Sequence, residues 1–314
     1  MKAIRIHDLG SFEQLKYEDI PVPSITDNQV LVKVYAVSVN HLDIKTASGA
    51  FNTKSPLDLP WIPGYDFAGI IEDTGKNVTK FKTGDKVYGN CNGGSYAEYL
   101  AADTDKVVLK PKSLSFIEAA SIPHVGETAW QAIHTHGQLK PGQNVLIHGA
   151  AGAVGAFAVQ FARNLDAVIY ATASADDSDL VRSLGANVVI DYTKTDFTAV
   201  VKNMDLVIVL VGGNTEEKSY SVLKEGGRLV STVGLTREDL AKTHNVTAIP
   251  LLIKQSAKDL EKITGLIDNG SVKTDIALTY PLQDAATGWK VLLGKDASLP
   301  HISHGKIVLE VVKE

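Results

Sequence analysis

Apolar and polar residues follow two different rhythms along this chain. Up to about residue 120 the apolar positions come in short alternating runs, the period of a strand with one face buried. Residues 1–7 alternate in this way, 29–37 are rich in valine, and 69–72 and 86–89 are shorter runs of the same kind. Glycine and aspartate turns at 73–75 and 82–85 separate them. Pro21, Pro23, Pro56, Pro60 and Pro63 stand in loops, where a central strand cannot continue. The pattern predicts a small β-rich barrel or sandwich.

After Pro123 the rhythm changes. Residues 144–148 form a continuous apolar run, as a strand buried on both faces requires. A helix follows, with Val154, Phe157, Ala158, Phe161, Ala162 and Leu165 on one face. Further strands are predicted at 167–172, 187–190, 205–211, 228–233 and 247–253, and helices at 177–184, near 216–223 and at 257–267. Six strands joined by crossover helices predict an α/β fold, a doubly wound six-stranded parallel sheet. The tail returns to the first character, with a helix opening at 280–286 and a closing strand at 306–311. The expected division is a β-rich domain of residues 1–122 and 273–314, with an α/β domain of residues 123–272 inserted in it.

Composition narrows the choice of partners. A chain of 314 residues is long for one core, and 44% hydrophobic with 21% charged residues is ordinary for a globular protein. A net charge of −5 argues against nucleic acid or an anionic membrane as the main partner. Cys91 is the only cysteine, which excludes an intrachain disulfide and a four-cysteine zinc site by count. No apolar run approaches the roughly 18 residues of a membrane span, and the N-terminus lacks the apolar core of a signal peptide. The expected compartment is the cytoplasm.

The sharpest chemical signal is Val145-Leu-Ile-His-Gly-Ala-Ala-Gly-Ala-Val-Gly155. Three glycines lie between a buried strand and an amphipathic helix. Backbone N–H groups at a helix start can reach a pyrophosphate only where no Cβ holds it away. In this strand–loop–helix context the pattern predicts a dinucleotide site. His148, inside the strand, reads as a satisfied core residue.

This loop resembles that of the medium-chain dehydrogenases/reductases. Further stretches are similar to the zinc-free quinone oxidoreductase branch: Val39-Asn-His-Leu-Asp43, Pro63-Gly-Tyr-Asp66, Gly84-Asp-Lys-Val87, Tyr96-Ala-Glu98, Ala119-Ala-Ser-Ile-Pro123, Gly126-Glu-Thr-Ala129, Leu184-Gly-Ala186, Ile190-Asp-Tyr192 and Gly305-Lys-Ile-Val308. The resemblance implies a GroES-like substrate domain, a Rossmann domain, an active site in the cleft between them, and a homodimer formed through the edge strand at 247–253. It implies NADPH as cofactor, with NADH the alternative, held by Thr128, Gly149, Ala151, Gly152, Ala153, Val154, Ser174, Tyr192, Val211, Val233 and Lys306. The implied reaction is hydride transfer to a small quinone or α,β-unsaturated carbonyl. The alternatives are an enoyl-thioester reductase and a cofactor-binding protein with little turnover, in a structural or RNA-binding role.

Zinc-dependent relatives would need ligands where this chain has Asn40, Tyr65-Asp66 and a residue near His124, so no metal is expected. Without a Lewis acid an electron-poor acceptor is easier to reduce than an alcohol is to oxidise, because the acceptor spreads the incoming charge itself. The protein must then position the pair and offer a hydrogen-bond donor to the acceptor oxygen. Asn40, Lys45 and Tyr65 are the catalytic candidates, and Asp43 reads as a helix cap. Ser174, at the end of the second strand, suits a 2′-phosphate. Asp176 and Asp177 follow where close relatives tend to carry a lysine, so weak discrimination between NADPH and NADH is expected. On the bland reading Asp176, Asp177 and Asp179 merely favour a helix start and point away from the ligand.

Overall fold

The computed structural model describes residues 1–10, 15–50 and 57–313. Pro56, assigned above to a loop, lies outside them. The chain divides into two compact units, one of Met1–His124, Gln255–Asp268 and Thr274–Glu314, the other of Val125–Lys254 and Asn269–Lys273.

The first unit is built on a seven-stranded sheet. Its longest strand, β1 (Gln29–Ser38), pairs antiparallel with β2 (Asp66–Thr74) and with the closing strand Lys306–Glu310. The valines of β1 alternate inward, as their period requires. Strand β2 runs well beyond the 69–72 expected, because Gly69 sits in its middle rather than at a turn. A Cβ there would lie 2.2 Å from the Lys33 carbonyl oxygen. Between β1 and β2 lies a short helix, α1 (His41–Ala47), capped at Asn40. The helix Ala257–Asp268 goes with this unit, and Thr264 bonds the Tyr88 hydroxyl at 2.9 Å.

The second unit is the doubly wound sheet. Its strands are β3 (Asn144–His148), β4 (Val168–Ala173), β5 (Val188–Asp191), β6 (Met204–Val209), β7 (Leu223–Ser231) and β8 (Thr247–Pro250). All neighbours are parallel, in the order β5-β4-β3-β6-β7-β8. The chain starts in the middle, winds outward on one side, then returns to wind outward on the other. That reversal beside β3 is where an open α/β sheet binds its ligand, at the carboxyl ends of the strands. Crossovers include α2 (Ala153–Arg163), α3 (Ser178–Leu184) and α4 (Thr215–Ser219).

Other expected elements differ as well: the strand expected at 247–253 ends at Pro250. The helix near 216–223 ends at Ser219, passes through a 3-10 turn at Tyr220–Val222, and becomes strand from Leu223. The helix expected to open at 280 is preceded by a strand, Ile276–Pro281, and begins only at Ala285. Pro281 is tolerated because that strand is an edge, paired only with the closing strand.

Candidate active site

In the second unit the glycine loop leaves β3 and enters α2 with each glycine doing something different. Gly149 has φ +69°, a left-handed turn that favours glycine. Gly155 is a close-approach position: a Cβ would lie 2.2 Å from the Gly149 carbonyl oxygen and 2.7 Å from Ala150 Cα. Gly152 is required by neither constraint. Its φ is −64°, and a Cβ would meet only the Gly149 oxygen, at 3.4 Å. What Gly152 leaves open is the space in front of the first turn of α2. Among the described residues no side chain caps that helix, so its leading N–H groups keep their donors for a ligand.

The loop is tied down from behind. Ser219 donates its hydroxyl proton to the Thr215 carbonyl (2.6 Å), so its oxygen accepts from His148 Nε2 at 3.2 Å. His148 Nδ1 then accepts from the Thr172 hydroxyl (3.2 Å), and Thr172 Oγ1 accepts from the Gly149 amide (3.4 Å). This chain needs the neutral ring with its proton on Nε2. Burial supplies that state, pushing the imidazole down to about 3.

Three large apolar side chains stand exposed just past the carboxyl ends of the parallel strands. They are Tyr192 after β5, Val211 after β6 and Val233 after β7, exposed by 64%, 39% and 45%. Apolar side chains left open at one sheet edge mark a groove that something covers. Two clamps hold the Val233 loop. Ser231 Oγ donates to the Gly234 carbonyl at 2.6 Å, and buried Glu216 accepts from the Thr236 and Arg237 amides.

Ser174, half-buried after β4, donates its hydroxyl to the Asp177 carboxylate at 2.7 Å. Asp177 is buried, whereas Asp176 is exposed and Asp179 is exposed and paired with Arg182. Asp177 shares the Ser174 position, because the turn into α3 folds its side chain back.

In the first unit, α1, β2 and the closing strand bring a polar cluster together. Asn40 Nδ2 donates to Asp66 Oδ2 (2.9 Å) and Ser38 Oγ (3.3 Å), and its Oδ1 accepts from Lys306 Nζ (2.6 Å). The His124 amide donates to the other Asp66 oxygen at 2.9 Å. Three of the positions matched to zinc ligands are therefore joined through Asp66. Among the described residues, no three His, Cys, Asp or Glu side chains are grouped to hold a metal ion. Asp43 accepts from the Asn40 amide (2.6 Å) and the Tyr96 hydroxyl (3.2 Å), while its Oδ1 is buried with no partner among the described residues. Burial raises its carboxyl to about 8, against the pull of the Asn40 amide. Tyr65 shares a hydrogen bond of 3.0 Å with Thr46, and Lys45 lies exposed on α1.

Two family models match the chain, the alcohol dehydrogenase GroES-like domain over residues 26–112 and zinc-binding dehydrogenase over residues 184–309. The NADPH-dependent alkenal/one oxidoreductase of Arabidopsis thaliana is 35% identical, over 98% of this chain and 79% of its own. The quinone oxidoreductase of Homo sapiens is 33% identical, over 91% and 92%. The chain belongs to the quinone oxidoreductase family. Among solved structures, the quinone oxidoreductase of Coxiella burnetii superposes with a TM-score of 0.90 at 35% identity, covering 99% of both chains.

Within this quinone oxidoreductase fold the site residues named from sequence fall into two groups. Gly149, Ala151, Gly152, Ala153 and Val154 form the glycine loop and the start of α2, with Ser174, Tyr192, Val211 and Val233 following β4 to β7. Thr128 is buried in the helix Pro123–Trp130. Lys306, named above for the cofactor, gives two of its donors to Asn40 and to the Val39 carbonyl. Sequence reasoning passed over His41, whose imidazole is held below its ordinary value by burial, then by Lys306 and Lys45. Its place four residues before Lys45, on one helix face, was the available signal.

Two outcomes follow from the loop. Gly152→Val should keep a native circular dichroism spectrum and lose saturable dinucleotide binding in a fluorescence titration. Gly155→Ala should instead lower the unfolding free energy by about 1–3 kcal/mol through overpacking. Wild-type affinity in Gly152→Val would overturn the cradle.

The depressed His148 imidazole carries a sign. Its folded value lies below the unfolded 6.5, so its contribution is full above pH 6.5 and is lost as pH falls towards 3. Over that window, denaturation midpoints for His148→Gln should fall less steeply than wild type, by about 1.4 kcal/mol per pH unit, one proton's worth. Parallel curves would contradict the neutral ring.

Proposed function

We propose that this chain is an NADPH-dependent reductase that passes hydride to a quinone or an α,β-unsaturated carbonyl without a metal ion. The observation that carries the reading is the open first turn of α2 beside three exposed apolar residues at the same sheet edge. The printed activities of the relatives, alkenal/one and quinone oxidoreductases, support the acceptor class.

The bound dinucleotide supplies the hydride from its nicotinamide ring. The chain's own part begins with the first N–H groups of α2, which hold the pyrophosphate where Gly152 leaves room. Tyr192, Val211 and Val233 cover apolar faces of the ligand and exclude water. As negative charge grows on the acceptor oxygen, a donor must meet it. Both Nδ2 protons of Asn40 are committed, to Asp66 and Ser38, so Asn40 fits a positioning role better than a donor role. Lys45 and the Tyr65 hydroxyl remain the donors.

The finer cofactor preference rests on Ser174. Its hydroxyl is turned to Asp177, and a carboxylate there opposes a 2′-phosphate while it can accept from a ribose hydroxyl. NADPH is the cofactor, with NADH accepted. The protein acts as a homodimer in the cytoplasm: β8 is an edge strand, Leu252 just beyond it is 88% exposed, and buried Cys91 has no partner thiol in its own chain.

The deciding experiment measures steady-state oxidation of NADPH and NADH with a panel of quinones and enones, before and after dialysis against a chelator. Turnover unchanged by the chelator is expected; activity that falls with the metal would refute the metal-free reading. Lys45→Met should lower turnover on enones more than on quinones, because the reduced quinone delocalises its own charge. Equal loss on both would move the donor role to Tyr65. Asp177→Ser should tighten NADPH binding by on the order of 1 kcal/mol, less at high salt, and leave NADH nearly unchanged. An unaltered ratio would place Asp177 outside the pocket.

A further inference from the structure

Glu216, on α4, is 4% exposed, yet among the described residues its carboxylate forms no ion pair. The neighbouring cation serves other partners: the Arg237 guanidinium turns to Glu217 and Asp239. A leucine or methionine would fill the same volume without burying a charge, which is costly unless its lone pairs are met. Packing alone does not call for a carboxylate here.

What meets the carboxylate is a turn of backbone from another element. Oε2 accepts from the Thr236 amide at 2.8 Å and from the Thr236 hydroxyl. Oε1 accepts from the Arg237 amide and the Tyr220 hydroxyl, both at 3.1 Å. Two consecutive amides and a hydroxyl therefore close on one side chain. Only a carboxylate offers acceptors alone on both of its branches, and a glutamine would set an N–H against one of these donors. Burial raises the carboxyl, but the Thr236 hydroxyl and the two amides outweigh it and hold it below its ordinary value, so it stays charged.

The turn so held is the far end of the loop that follows β7. The near end is held by Ser231, whose Oγ accepts from the Val233 amide at 3.3 Å and donates to the Gly234 carbonyl at 2.6 Å. Between the two pins stand Val233, open to solvent, and Gly234, whose φ of +91° needs a residue that also lets the backbone move unless it is held. Ser219, three residues after Glu216 on the same helix, bonds His148 in the relay behind the glycine loop. One short helix thus braces both loops. In the sheet, β7 lies on the other side of β3 from β4, which leads to Ser174. The end of β4 is where such a fold meets the adenosine ribose, so the loop after β7 faces the other half of a dinucleotide.

We infer that Glu216 is a positioning residue of the reductase: it sets the loop after β7 before the ligand arrives, so that the nicotinamide half of the dinucleotide binds without ordering that loop. A loop already in its bound shape spares the entropy that ordering would cost. Glu216 acts through the loop and not on the adenosine half, so its effect falls equally on NADPH and NADH. The inference rests on the dinucleotide-dependent reading of the preceding subsection.

The test compares wild type with Glu216→Gln for three ligands and for the thermal midpoint. The ligands are NADPH, NADH and adenosine 2′,5′-bisphosphate, which keeps the adenosine half and the 2′-phosphate but has no nicotinamide. Glu216→Gln should raise the dissociation constants of NADPH and NADH by the same factor, about tenfold, the worth of one charged hydrogen bond. The constant for the bisphosphate should stay within about twofold, because the β4 end is a separate site. A parallel loss for all three ligands, or a lowered thermal midpoint with wild-type affinity for NADPH, would mean a merely structural carboxylate and overturn the inference. Wild-type protein that binds neither NADPH nor NADH would overturn the dinucleotide reading itself, and this inference with it. If Glu216→Gln fails to fold, Thr236→Val removes one donor from the exposed side of the same clamp. It should weaken NADPH and NADH by about threefold and spare the bisphosphate, and unchanged affinity would overturn the clamp.

Discussion

Helix α2 can start where it does only because residue 155 has no side chain. With a Cβ 2.2 Å from the Gly149 oxygen excluded, the helix backbone packs directly on the loop that leaves β3. That contact points the uncapped first turn along the carboxyl edge of the sheet, beside Tyr192, Val211 and Val233. Everything proposed for the cofactor depends on this placement. The relay from Gly149 through Thr172, His148 and Ser219 keeps it from drifting, and it works only while the imidazole stays neutral. Burial does here what a sequence motif cannot display.

The first unit solves a different problem, that of keeping charged groups out of water. Asp43, Asp66 and Lys306 are all buried, and Asn40 lies among them with every amide proton placed. Asp66 collects three donors: Ser38 and Asn40 on one oxygen, the His124 amide on the other. Such a network is stable only when nearly complete, since each missing partner leaves a desolvated group behind. Among the described residues Asp43 Oδ1 is the one carboxylate oxygen of the cluster left without a partner, and burial, with Asp66 nearby, raises its carboxyl.

How much of this the sequence displayed depended on distance along the chain. Strand β3 was legible to the residue, because both faces of 144–148 are apolar and glycine ends the run at once. The doubly wound class of the second unit's sheet followed from alternation of strands and helices, whereas its strand order came only from the pairing. The strand Ile276–Pro281 was hidden because Tyr280-Pro-Leu reads as a helix opening, and only the pairing with Lys306–Glu310 makes Pro281 acceptable. Ser174 and Asp177 stand three residues apart, yet the turn that joins their side chains is a backbone matter that composition does not encode. Lys306 and Asn40 are 266 residues apart. No local pattern could pair them.

The central claim is that the loop from Gly149 to Gly155 and the sheet edge beside it form one dinucleotide site. Amide hydrogen exchange followed by mass spectrometry, with and without NADPH, tests it without relying on turnover. Peptides covering Gly149–Gly155 and those containing Tyr192, Val211 and Val233 should exchange more slowly together, over the same range of NADPH concentration. Exchange unchanged at the glycine loop, with protection elsewhere or nowhere, would contradict the account.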